Sequence, residues 1–300
     1  MEDITTGIPT KSSWKVWLKR KDEYCPFLKD WTDAVPEIEF LELLADAVHS
    51  YMFKVRLHGK TYALKLYTVS QPLWSRFETI ALVKDAFIVE SRAYNSLIER
   101  NLGGVVGPHC HGWLAIDKNQ EIELDRQFNL SRGYTSTDTG LIHKLKHQGR
   151  RPWLGFRQFE KSTDPVRGLL LDYIDGTNLG KATLTSQAAS NLRSQLEQLH
   201  SLFIAHGDLF PRNIMVARNG RPFLIDFSSA HIYPSVRSRT KEGIEGYMYD
   251  EKCALEYYLF QLQQLQRHRK VTLTDALNEE DAYGGRVSSF IEATKEDFVD

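Results

Sequence analysis

Cysteine is scarce in this 300-residue chain: Cys25, Cys110 and Cys253 stand far apart and are odd in number. That pattern excludes a disulfide framework and fits a reducing compartment. No apolar run approaches the roughly 20 residues that a membrane-spanning helix needs. The opening MEDITTG is acidic and polar, without the apolar stretch of a secretory signal. Net charge is nearly absent as well, since 38 Lys and Arg face 39 Asp and Glu. A whole-protein electrostatic footprint for nucleic acid is therefore excluded, though a local basic patch is not. Internal repeats and long low-complexity tracts are lacking. The expectation is a soluble intracellular protein, cytoplasmic or nuclear, of one large or two small domains.

The order of the remaining patterns is strands, one helix, more strands, then helices. It predicts an α+β, two-lobed architecture and not an alternating βαβ one. Residues 1–36 read as an N-terminal extension, 37–171 as a first lobe with an insertion at 117–165, and 172–300 as a second lobe. The extension holds a basic-aromatic stretch, Lys11 to Lys21, with Trp14, Trp17 and Leu18. It reads either as an arm packed on the domain or as a contact to an acidic partner such as RNA. Strands are expected at Ile38 to Leu44, Tyr51 to Leu57 and Thr61 to Val69, with a His58-Gly59 turn between the last two. A helix follows over Phe77 to Arg100, then a β-rich piece over Val105 to Ile116 and a buried strand over Val166 to Ile174. Thr185 can cap a helix with Leu192, Leu196, Leu199 and Phe203 on one stripe. A hairpin turning at Asn219-Gly220 and a helix over Tyr249 to Leu265 complete the pattern.

The segment richest in chemistry is His206-Gly-Asp-Leu-Phe-Pro-Arg-Asn213, followed by Leu224-Ile-Asp-Phe-Ser228. Asn213 enters one hairpin strand and Asp226 leaves the other, so both side chains come to one end. An amide oxygen and a carboxylate there form a hard oxygen site suited to Mg²⁺. Asp208, in a loop stiffened by Pro211, is placed to accept a hydroxyl proton.

A second constellation lies upstream. Alternation puts Ala63, Lys65 and Tyr67 on one strand face. Val83, Phe87, Glu90, Tyr94 and Leu97 form one helical stripe on which Glu90 is the single charge. A lysine among apolar neighbours and a carboxylate on a buried stripe are each costly alone, so pairing is expected. An ordinary strand-to-helix ion pair would account for these two residues taken alone, and loses ground only because the second-lobe set is also present.

Together these residues resemble the protein-kinase-like superfamily. The His-Gly-Asp-x-x-Pro-x-Asn form resembles aminoglycoside and choline phosphotransferases and fungal kinase-like proteins more than ordinary Ser/Thr kinases. Glu90-Ser-Arg-Ala-Tyr94 and Leu224-Ile-Asp-Phe-Ser228 resemble a fungal family related to a kinetochore subunit. The resemblance implies a small antiparallel-sheet N-lobe with one main helix and a mostly helical C-lobe. It also implies ATP and Mg²⁺ as cofactors. Lys65 would bind phosphate, Glu90 would brace it, Asp208 would be the catalytic base, and Asn213 and Asp226 would hold metal. Ala63 would line the adenine pocket, and the hinge Leu171 to Ile174, with Asp172 and Tyr173, would bind adenine through its backbone.

The departures from that family define the alternatives. Its phosphate-covering turn carries glycines, whereas here it reads Leu44-Ala-Asp-Ala-Val-His-Ser50, with His49 and Ser50 as candidate phosphate contacts. Gly207 replaces the arginine that couples protein kinases to activation-loop phosphorylation. Phe210 replaces their catalytic-loop lysine, with Arg212 as a nearby substitute cation. The leading expectation is a small-molecule phosphotransferase acting on a hydroxyl. One alternative is a kinase-fold enzyme of fungal secondary metabolism that uses aminoacyl-tRNA to make arginine-containing cyclic dipeptides. Such an enzyme would need tRNA as partner, a basic face from Lys11 to Lys21, Lys144 to Arg151 and Arg267 to Lys270, and an acidic pocket for the guanidinium. A non-catalytic scaffold is the other. His109-Cys110-His111 reads as strand packing, since alternation keeps its three side chains from ligating together. His206 reads as a loop brace. Tyr134 to Asp138 reads as a phosphorylatable loop or a plain linker.

Overall fold

The computed structural model describes residues 25, 27–47, 50–67, 85–130, 165–233 and 240–267, with side chains to 264. These residues fall into two compact units. One lies within Ile8–Asn95 and Cys110–Tyr173, the other within Ser96–His109 and Ile174–Asp300.

The first unit is built on strands β1 (Glu39–Asp46), β2 (Ser50–Leu57) and β3 (Lys60–Tyr67), then helix α1 (Ala86–Glu99), β4 (Cys110–Ile116), α2 (Lys118–Phe128) and β5 (Val166–Asp172). Its five strands form one antiparallel sheet in the order β1-β2-β3-β5-β4. Strict alternation makes β2 one-sided, with Tyr51, Phe53, Val55 and Leu57 buried. His58 and Gly59 both take positive φ, the conformation a two-residue hairpin turn requires. Phe53 anchors the core, its ring 5.3 Å from Phe40 and 5.1 Å from Phe128, both edge-on.

Several expectations change here. Residues 118–128, read as part of a polar insertion, form α2. Asp117 caps it, accepting from the backbone nitrogens of Asn119 and Gln120, while Gln120 reaches back to the Asp117 nitrogen. A capping box on a mostly polar helix gives little apolar periodicity, which is why the pattern looked like loop. The β-rich piece from Val105 is strand only from Cys110. The end of the apparent extension is part of the sheet unit. The Trp31 nitrogen donates to the Trp113 carbonyl at 2.8 Å and the Trp113 nitrogen to the Lys29 carbonyl at 2.9 Å, Asp30 bridges to Trp113, and the Phe27 nitrogen donates to the Asn95 side-chain oxygen. Gly112 permits this approach: at φ +141°, a Cβ there would sit 2.0 Å from the Lys29 carbonyl oxygen.

The second unit contains β6 (Gly176–Asn178), α3 (Ser186–Ser201), β7 (Ile204–Ala205), β8 (Ile214–Ala217), β9 (Pro222–Leu224), β10 (His231–Ile232) and α4 (Lys241–Arg267). β6, β8 and β9 pair antiparallel, and β7 pairs with β10. Thr185 caps α3 through the Ala188 nitrogen, as its sequence implies. Leu192, Leu196 and Leu199 are buried on one stripe. Phe203 is not on that helix: it lies past the end at φ +53°, its ring against Tyr233. Arg193 joins α3 to α4 by a two-pronged bond to Glu256 at 2.6 and 2.7 Å. α4 begins eight residues before the expected Tyr249. Val83, His49 and the segments Lys11 to Lys21, Tyr134 to Asp138 and Lys144 to Arg151 lie outside the described residues, as do the side chains of Arg267 to Lys270.

Candidate functional site

In the sheet unit, β3 and α1 bring Lys65 and Glu90 together. The Lys65 ammonium donates to Glu90 Oε2 at 2.6 Å, with the two side chains 3% and 0% exposed. Phe87, Tyr94 and Leu97 share the buried stripe with Glu90, as the spacing predicts. Tyr67 completes the pair, its hydroxyl donating to the same Oε2 at 2.6 Å. Its position two residues from Lys65 put it on that strand face, which was the available signal for its role. Asp85 fastens the start of α1. It caps the helix through the nitrogens of Phe87 and Ile88, and Arg167 of β5 donates to its other oxygen at 2.6 Å.

At the end of β5, Asp172 accepts from His111 at 2.8 Å and from Lys60 at 3.4 Å. The His111 hydrogen bond is the main cause that holds its carboxyl below the usual range; burial opposes it, and the charges of His111 and Lys60 assist. The Tyr173 ring receives the Lys54 ammonium at 4.6 Å. Ala63 is buried and pairs with Leu171. His111 therefore serves Asp172, while Cys110 is buried and its thiol is pushed well up by that burial. No cluster of three or more His, Cys, Asp or Glu able to hold a metal occurs among the described residues.

In the second unit, the loop after β7 carries Asp208, Arg212 and Asn213. The Asn213 side-chain nitrogen donates to both the backbone oxygen and Oδ2 of Asp208, each at 2.8 Å. Spending the nitrogen in this way fixes the amide, so its oxygen is the ligand-competent atom. The Ile225 nitrogen donates to the Asn213 carbonyl at 2.9 Å, so the β8–β9 hairpin does bring Asn213 and Asp226 to one end. Asp226 sits in the left-handed region at φ 64°, ψ 69°, and accepts from the Ser228 hydroxyl at 2.6 Å. A non-glycine residue held there is a strained position of the kind that functional loops retain. Arg212 reaches Asp208 at 2.9 and 3.2 Å, its guanidinium 4.3 Å from the Phe210 ring centre.

His206 braces the loop, its Nε2 against the Ile225 carbonyl at 2.9 Å. Gly207 has φ +76°, and a Cβ there would meet the Ser229 carbonyl oxygen at 2.1 Å. Sequence reasoning missed Glu251. This α4 carboxylate accepts the backbone N–H groups of His206 at 3.0 Å and Gly207 at 2.6 Å, and meets His200 Nε2 at 2.9 Å. The signal was a lone charge among Met248, Ala254, Leu255 and Tyr258, all buried on that helix.

Fold and side chains together define an α+β protein of two units, one bearing a buried lysine–glutamate pair and the other an acid–amide pair on a braced loop tied by backbone to the residue before Asp226. The chain belongs to the family described as kinetochore Sim4 complex subunit FTA2, which matches residues 18–231. That span includes Lys65, Glu90, Asp208, Asn213 and Asp226 and ends before Glu251. No curated protein matches the chain.

Proposed function

We propose that the chain has a kinase-like fold and transfers the γ-phosphoryl group of Mg²⁺-bound ATP to a hydroxyl, that of a small molecule. The observation that carries this reading is the Asp208 loop, where the Asn213 amide is fixed by Asp208 and its carbonyl is tied to the nitrogen of Ile225, next to Asp226. Two hard oxygen donors of this kind suit Mg²⁺. Bound there, the metal would offset charge on the transferring phosphates. Asp208 would take the acceptor's proton as the acceptor oxygen bonds to the γ-phosphorus and the bond to ADP breaks. Lys65, held by Glu90 and Tyr67, would bind phosphate. Ala63 and the backbone around Asp172 and Tyr173 would receive adenine. The family description supports a place in a nuclear protein assembly, with protein partners ahead of tRNA.

The test is thermal unfolding of the full chain with millimolar ATP and Mg²⁺. The expected result is a raised Tm in the wild type that is lost in Lys65→Met and in Asp226→Asn. An unmoved wild-type Tm overturns the reading.

A second reading, a tRNA-dependent cyclodipeptide synthase that takes arginine, is favoured by two observations. Asp208 with the Phe210 ring already holds a guanidinium, that of Arg212, and the turn after β1 has no glycine. Charged tRNA co-purifying with the chain, in the absence of an ATP shift, would select it. Neither ligand binding would select a non-catalytic subunit.

A further inference from the structure

The sheet face that carries Lys65 carries a second lysine, half-buried and outside the Glu90 pair. Lys54 of β2 stands directly opposite Ala63 of β3, as Met52 stands opposite Lys65. Opposed residues of an antiparallel pair share a face, so Lys54 lies beside Ala63, two residues and about 7 Å along the strand from Lys65. Its ammonium has a definite seat, 4.6 Å from the centre of the Tyr173 ring. Among the described residues no carboxylate pairs with it. The carboxylate next to Tyr173 is engaged elsewhere: Asp172 stands opposite Tyr62 and accepts from His111 and Lys60. Glu90 neutralises Lys65, whereas Lys54 is a cation supported by a ring.

We infer that Lys54 selects the base of the bound nucleotide, and that the chain takes a 6-oxo purine, guanine, in preference to adenine. The inference rests on the reading that a nucleotide binds with its base at Ala63 and Tyr173. An ammonium has three donors and no acceptor. Guanine offers it two acceptors on one edge, O6 and N7, whereas adenine offers N7 beside a 6-amino group that is itself a donor. The same cation therefore gains a second contact with one purine and meets partial positive charge on the other. The backbone around Asp172 and Tyr173 cannot make this choice, because each residue there has both an N–H and a C=O and can serve either base. An apolar side chain opposite Ala63 would be equally indifferent. Tyr173 adds preorganisation: the ring holds the ammonium in place before the ligand arrives, so less side-chain freedom is lost on binding.

The experiment measures binding of ATP, GTP and ITP, each with Mg²⁺, to the full chain by calorimetry. ITP carries the 6-oxo group and N7 of guanine without its 2-amino group. The expected result is that the wild type binds GTP and ITP at least about fivefold more tightly than ATP, the lower end of what such a pair of contacts supplies, with ATP still bound at millimolar concentration. In Lys54→Met, which keeps the length and loses the charge, the three nucleotides should bind within about twofold of one another, since nothing is left to tell O6 from a 6-amino group. Lys54→Arg, which keeps the donors, should retain the preference. A circular dichroism melt checks that each variant folds. ATP bound as tightly as GTP, ITP following ATP, or a preference that survives Lys54→Met overturns the assignment of Lys54. Binding of none of the three nucleotides is a distinct result: it overturns the nucleotide reading itself, and the base selection with it.

Discussion

Glu251 Oε1 accepts the Gly207 backbone N–H at 2.6 Å while its Oε2 accepts that of His206 at 3.0 Å. One α4 carboxylate thus suspends the backbone that leads into Asp208. Glu251→Gln replaces an acceptor with a donor and leaves one of those N–H groups, or His200, without its partner. A buried polar group left unsatisfied costs about 1–3 kcal/mol. The expected outcome is a urea midpoint lowered to that extent. An unchanged midpoint would mean that the loop holds its shape without α4.

The same residue sets a pH dependence. Burial acts to raise the Glu251 carboxyl, but His200, the charge of His206 and the two backbone N–H groups outweigh it and hold it below the usual range. Its folded value lies below its unfolded one. Its contribution is therefore present above the unfolded glutamate value of about 4.3 and is lost as the pH falls through the folded value. Stability measured from pH 7 down to pH 3 should fall more steeply in the wild type than in Glu251→Gln. Parallel curves would remove Glu251 from the acid response.

Lys65 and Glu90 are buried together, so removing one strands the other's charge. Glu90→Leu is expected to cost about 3–5 kcal/mol, whereas the double variant Lys65→Met with Glu90→Leu should recover most of that loss. Chemical denaturation of the three proteins decides it. A double variant as unstable as the single one would show that the pair contributes beyond mutual neutralisation.

Gly112 and Gly220 both have positive φ, but only Gly112 is crowded: nothing lies within 4 Å of a Cβ at Gly220. Gly220→Ala should cost about 1 kcal/mol for its backbone conformation alone. Gly112→Ala must also displace the Lys29 carbonyl. It should lower the Tm by clearly more and detach the segment around Lys29 and Trp31, seen as faster amide exchange at Trp113. Equal effects of the two substitutions would refute the close contact.

The chemistry-bearing residues were largely legible because their environments are unusual at short range. Lys65 breaks an apolar strand and Glu90 breaks an apolar stripe, so each calls for the other. The Asn-Gly turn fixes the β8–β9 register and thereby the meeting of Asn213 with Asp226. Tyr67 was placed by alternation on the face of Lys65, and that placement alone pointed toward its bond to Glu90. Glu251 showed only as a lone charge on an apolar helix stripe: its partners, His200 and two backbone groups far away in sequence, are encoded by no residue pattern. α2 was missed because side-chain capping, not apolar spacing, defines it, and the Lys29–Trp113 pairing because it depends on what Gly112 lacks.

Gly207 occupies the place at which protein kinases, by the resemblance noted above, keep an arginine that senses phosphorylation. With the Ser229 carbonyl 2.1 Å from where a Cβ would be built, no side chain of any kind fits there. Packing, not only the identity of one residue, keeps this position bare. A side chain could enter here only if the main chain at Ser229 moved first, so the spacing of these two segments is set by the atom that glycine lacks.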